Sequence, residues 1–160
     1  MAVVGTIIWL ILGAVAFVGL YNLIGGADFM RDLIKSAGFN ALGTIMVMMA
    51  ILVVLGTFME WIAIIFITVP VFAPVVRDLA PELGMQPDWA AVWFGVLFVM
   101  NIQIYFLSPP FGPACFWLTS VAPKDCTLQE IFISVFPFIG LQIIGMSLFF
   151  FFPIIAFWMR

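Results

Sequence analysis

Ser108-Pro109-Pro110-Phe111-Gly112 interrupts an apolar run and concentrates the chemistry of this sequence. Prolines delete backbone donors and hold the preceding residue extended. Lipid cannot satisfy the polar groups so released, so a break of this kind persists only where protein buries it or a watery cavity wets it. Broken helices at membrane depth offer carbonyls and hydroxyls, hard oxygen donors suited to Na+. Asn101, Tyr105 and Ser108 lead into the break at spacings of four and three, which align them on one helical face, with Gln103 pointing elsewhere. Alone, such a stripe reads as hydrogen bonding between helices; ending on a proline break, it reads as the wall of a site. A second break, Gly56-Thr57-Phe58-Met59-Glu60, lies upstream. Glu60 is the only ionisable side chain inside an apolar segment, and the spacing of Thr57 and Thr68 puts all three residues on one face. Glu60 is either solvated at the mouth of a helix or is a cation ligand, a substrate-facing group or a proton carrier, the functional default for an intramembrane carboxylate.

The elements that must position these residues belong to a membrane. The chain has 160 residues, of which 66% are hydrophobic and 8% charged, with a mean hydropathy of +1.32. A soluble domain would carry roughly three times as many charges. A net charge of −3 with five basic residues argues against nucleic acid as a partner. The absence of His removes the commonest general base and metal ligand. Cys115 and Cys126 form neither a metal spacing nor a disulfide framework and read as two buried apolar thiols. No Ser/His pair, paired carboxylates or Gly-rich phosphate loop supports an enzyme.

Residues 3–24 are long enough for a first span, which takes about 20 residues. They lack the basic start and small-residue cleavage site of a signal peptide. Residues 28–37 read as an interfacial amphipathic helix: Phe29, Met30, Leu33, Ile34 and Ala37 on one face, Asp28, Arg31, Asp32 and Lys35 on the other. Asn40 is placed to cap the helix that follows. Segments 41–55 and 61–76 are each short for a crossing, and Pro70 and Pro74 cut the second further, so together they suit a re-entrant hairpin or a discontinuous pair meeting near Gly56; the rival, one continuous helix with a tolerated glycine, would place Glu60 deep in lipid. Residues 80–88 are a loop, and 89–107 the next span. Past the proline break, 114–122 make a half-helix. Thr127 and Glu130 form a capping box. Pro137 divides the last stretch into an interfacial piece and a span reaching Trp158. Charges cluster at Asp28–Lys35, Arg77–Asp88 and Lys124–Glu130, with Arg160 at the end. The fold class is therefore all-α integral membrane: a multi-span bundle with a re-entrant hairpin and a proline-broken helix, in a single membrane domain over residues 1–160 with no soluble domain.

The ordered set Gly56-Thr57-Phe58-Met59-Glu60-Trp61, Pro70, Pro74, Asn101-Ile102-Gln103, Ser108-Pro109-Pro110-Phe111-Gly112 and Val135-Phe136-Pro137-Phe138 resembles the C-terminal half of the large membrane subunit of TRAP transporters. Phe152-Pro153 and Phe157-Trp158 are similar to that family's ending. Within it, the mannitol or chloroaromatic-compound branch is the most similar. The resemblance implies a Na+-driven secondary transporter of the bacterial inner membrane, multi-pass, made of inverted repeats that move as an elevator. It implies a small membrane subunit and a periplasmic substrate-binding protein as partners, and no cofactor beyond Na+ as coupling ion. On this chain it makes Gly56, Thr57, Ser108, Pro109 and Gly112 candidate Na+ ligands, and Glu60, Asn101 and Tyr105 the substrate-binding residues. Glu60 stands where the family commonly has Asp, Ser108 where it commonly has Thr, and Ile104-Tyr105 is bulkier than the usual small polar pair.

Large subunits of that family are several hundred residues long, so this chain is expected to hold only the C-terminal of two repeats, to require the missing N-terminal half, and not to transport alone. The substrate class implied is a small organic acid delivered by the binding protein. The alternative is a small membrane scaffold or anchor that keeps the fold without transport.

Overall fold

The computed structural model describes residues 2–109, 112–123 and 126–157, and every regular element among them is helical. The order is α1 (Ala2–Leu23), α2 (Gly26–Ala37), α3 (Ala41–Gly56), α4 (Trp61–Leu79), α5 (Pro87–Leu107), α6 (Pro113–Thr119), α7 (Leu128–Phe151) and α8 (Ile154–Phe157). Three of them, α4, α5 and α7, are long and apolar enough to cross a membrane. Pro110 and Phe111 of the second break, Lys124 and Asp125 of the third charge cluster, and Trp158 and Arg160 lie outside the described residues.

Local chemistry sets the boundaries. Asn40 caps α3: its Oδ1 accepts from Gly43 N at 2.8 Å and its carbonyl from Thr44 N at 2.9 Å. Pro87 opens α5, where a missing donor does no harm. Thr127 and Glu130 complete the capping box of α7, with Thr127 N donating to Glu130 Oε2 at 2.8 Å and Glu130 N to Thr127 Oγ1 at 3.3 Å. Asp88 and Glu130 stand in first turns and Arg77 in a last turn, each with the sign that complements the helix dipole.

The chain packs as two compact units. The first comprises residues 1–50 and 59–92, the second residues 51–58 and 93–160. In the first, α1 and α2 pack on α4 and on each other. Tyr21 sets the α1–α2 corner: its hydroxyl donates to Gly26 O at 2.7 Å, and its ring fills the space that a Cβ on Gly26 would take. Ile45, Ile64, Val76 and Ala90 are fully buried there. In the second unit, Trp93, Leu97, Asn101 and Cys115 are buried. The Trp93 indole donates to Phe149 O at 3.0 Å and lies against Phe150, tying α5 to the end of α7. The α6 and α7 helices pack through Phe116 and Phe132, edge to face at 6.3 Å.

Four expectations are corrected. Pro70 and Pro74 do not cut α4, which runs 19 residues through both, and Pro137 does not divide α7, which runs 24. Each proline deletes one rung of the ladder, while the remaining backbone groups have no water to turn to and keep the helix intact. Thr57 lies in the turn outside α4, so helical phase is not carried from it to Glu60 and Thr68, and the three do not form one stripe. Of the two thiols, Cys115 is buried but Cys126 is exposed.

Candidate functional site

Both breaks occur where the sequence puts them. Helix α3 ends at Gly56 in a turn over residues 57–60, and α5 ends at Leu107 before Ser108 and Pro109. The second unit brings these two helix ends together. A Cβ added to Gly56 would overlap Cδ1 and Cγ of the Tyr105 ring. Glycine is thus required here by close approach rather than by backbone angle. The C-terminal end of α3 meets α5 within the last turn of α5. Asn101 and Tyr105 are buried, Ser108 is half-buried and Gln103 is exposed, as a single inward stripe requires.

Hydrogen bonding fixes what each group can offer. Thr57 Oγ1 donates to Val54 O at 2.7 Å, and Ser108 Oγ donates to Ile104 O at 2.6 Å. With their protons committed, these hydroxyls present lone pairs only. Ser108 N bonds Tyr105 O at 3.0 Å, so the end of α5 tightens into a turn. Beyond Pro109, Gly112 N donates to Ser108 O at 2.9 Å, and Gly112 has φ +26°, a conformation that favours glycine. A Cβ there would also meet Phe132 Cε1 at 2.6 Å. The Gly112 carbonyl accepts from Cys115 N and Phe116 N, opening α6. The Cys115 thiol donates to Leu107 O at 3.7 Å, so α6 also satisfies a carbonyl at the end of α5.

Glu60 belongs to the first unit. It is exposed at the N-cap of α4 in extended conformation, and its side chain makes no cap hydrogen bond. Thr68 is buried and donates to Ile64 O at 2.6 Å. The sequence reading passed over two buried polar side chains. Thr44 Oγ1 in α3 and Gln142 Oε1 in α7 have no hydrogen-bond partner among the described residues. An amide midway along an apolar 24-residue helix was the available signal for Gln142. A cavity of about 310 Å³ between α1 and α4, lined by Trp9, Gly13, Ala14, Phe17, Ala63 and Ile67 among others, is apolar throughout and offers nothing to an ion.

Among the described residues, three helices long and apolar enough to cross a membrane, in an all-helical chain, mark an integral membrane protein. The family described as "Tripartite ATP-independent periplasmic transporter, DctM component" matches residues 1–155, and the chain belongs to it. The isethionate TRAP transporter permease protein DctMQ of Oleidesulfovibrio alaskensis is 33% identical over 93 residues, covering 58% of this chain and 13% of that protein. The ectoine TRAP transporter large permease protein TeaC of Halomonas elongata is 28% identical over 141 residues, covering 86% of this chain and 31% of that one. The C4-dicarboxylate TRAP transporter large permease protein DctM of Pseudomonas aeruginosa is 33% identical over 87 residues, covering 53% and 18%. The chain spans less than a third of the length of these curated relatives. No solved structure matches it.

Proposed function

We propose that this chain forms part of the large permease of a Na+-coupled TRAP-type secondary transporter in the bacterial inner membrane. It imports a small organic acid handed over by a periplasmic binding protein. In this reading it is the C-terminal repeat, of the mannitol or chloroaromatic branch. Residues 41–55 and 61–76 are the two arms of a re-entrant hairpin in one inverted repeat, which moves as an elevator. A small membrane subunit and an N-terminal half complete the assembly.

The observation that carries the reading is the meeting of the α3 and α5 ends at Gly56 and Tyr105. A helix C-terminus carries roughly half a negative charge, from carbonyls without intrahelical partners. Two such ends in one unit, flanked by hydroxyls that present only lone pairs, favour a cation and disfavour an anion. The groups that fit Na+ are the oxygens of Gly56, Thr57, Ser108 and Pro109. Gly112, whose carbonyl already accepts two amide protons, contributes the turn. Asn101 and Tyr105, both in the second unit, serve the substrate. The ion lowers the negative potential at the helix ends, and the chain's own part is to hold those ends in register through the Tyr105–Gly56 contact.

The test is uptake by the complete assembly in proteoliposomes, with purified binding protein and an imposed gradient. Uptake should require Na+ and fail in choline. Na+ should also stabilise the protein by about 2.7 kcal/mol at a hundredfold excess over its dissociation constant. Uptake that continues in choline and follows a pH gradient would assign coupling to protons carried by Glu60 and refute the Na+ reading. An assembly that folds yet shows neither would leave the scaffold alternative.

A further inference from the structure

The hydroxyl protons of the second unit divide unequally. Every serine and threonine hydroxyl there donates within its own helix, turn or cap: Thr57, Ser108, Thr119, Ser120, Ser134 and Ser147 to carbonyls three or four residues back, and Thr127 to Glu130. Tyr105 is the exception. It is 3% exposed, and its hydroxyl is buried without a hydrogen-bond partner among the described residues. Burying a hydroxyl without a partner is unfavourable, and native proteins keep few such groups. The ring cannot swing away easily, because the end of α3 lies on its Cγ and Cδ1 at Gly56. The residue is therefore held in place with an unused donor, in the same unit as two hydroxyls that have none to give.

We infer that Tyr105 is a specificity-determining residue of this site, donating its phenolic O–H to a carboxylate or sulfonate oxygen of the transported organic acid. Thr57 and Ser108 serve the cation, and Tyr105 serves the anion. The assignment deepens the transporter reading above and rests on it. It also accounts for the ring. Ser108 N bonds Tyr105 O, and the Tyr105 ring lies on Gly56, so one residue touches both helix ends that would hold Na+. An acid bound to the hydroxyl and a cation bound at the helix ends share that residue, which gives the two ligands a route to assist each other. Isethionate, ectoine and C4-dicarboxylates, the compounds in the relatives' names, all carry an acidic oxygen group able to accept such a bond.

The experiment compares wild type with Tyr105→Phe in the complete permease assembly, by thermal unfolding with succinate, isethionate and ectoine as separate probes at up to millimolar concentration. Phenylalanine keeps the ring on Gly56 and removes only the oxygen. Without ligand, the variant should melt at or above the wild-type temperature, because an unpaired buried group has been removed. Stabilisation by Na+ alone should be unchanged. Affinity for whichever acid binds the wild type should fall by about tenfold or more, the worth of a hydrogen bond to a charged group. Equal acid affinity in the two proteins overturns the assignment. So does a lower melting temperature of the ligand-free variant, since it would mean that the hydroxyl has a structural partner. A wild type that Na+ stabilises but no acid probe does also overturns it. Failure of Na+ to stabilise the wild type would instead refute the transporter reading beneath it.

Discussion

Gly56→Ala sets two magnitudes against each other. Gly56 is a helical residue without a left-handed φ, so alanine is compatible with its backbone. Helix propensity alone would make the substitution stabilising by up to about 1 kcal/mol. Packing opposes this. The new Cβ would overlap Cδ1 and Cγ of Tyr105, atoms at the root of a ring, and Tyr105 is only 3% exposed. Relief needs a shift of the χ1 angle or of the α3 end, and overpacking of that kind costs about 1–3 kcal/mol. The atoms concerned sit at the stiff end of the side chain, so we expect packing to win, with a net loss of about 1–2 kcal/mol. The assay is equilibrium unfolding of the purified protein in mixed micelles, followed by tryptophan fluorescence, for wild type, Gly56→Ala, Tyr105→Ala and the double variant. Removing the ring should itself destabilise by about 3 kcal/mol or more. In that background the Cβ has room, so the effect of Gly56→Ala should change sign, giving a coupling of about 1–3 kcal/mol. If Gly56→Ala is neutral or stabilising in both backgrounds alike, the helix ends do not meet as described.

Two further outcomes follow from the same contacts. With Cys115 and Cys126 replaced, cysteines at Thr57 and Ser108 should be joined by a short bifunctional thiol reagent, because their neighbours Gly56 and Tyr105 touch; failure across adjacent pairs in folded protein would separate the two breaks. In the native chain a water-soluble maleimide should label Cys126 and spare Cys115 until the protein is unfolded, read by mass spectrometry.

What the sequence made legible was whatever chemistry is local. The Asn40 cap and the Thr127–Glu130 box are each written in three residues of spacing, and both form as read. The two breaks were legible because glycine and proline act on their own backbone, and the inward face of α5 because Asn101, Tyr105 and Ser108 lie within one unbroken helix. The same logic failed across a boundary. Counting turns from Thr57 to Glu60 and Thr68 assumed a helical phase that the 57–60 turn resets. It also failed for prolines inside spans. A proline ends a helix in water because water takes the vacated carbonyl; at Pro70, Pro74 and Pro137 the apolar surroundings leave the chain nothing better than to remain helical. Least legible was the contact that matters most. Gly56 and Tyr105 lie far apart in the chain, and each has an adequate local explanation, a helix end and an aromatic in a span. Only their packing shows why position 56 has no Cβ and why a residue as large as tyrosine occupies position 105. The bulk that sets Tyr105 apart is thus the ring that locks the two helix ends together and holds an unspent hydroxyl beside them.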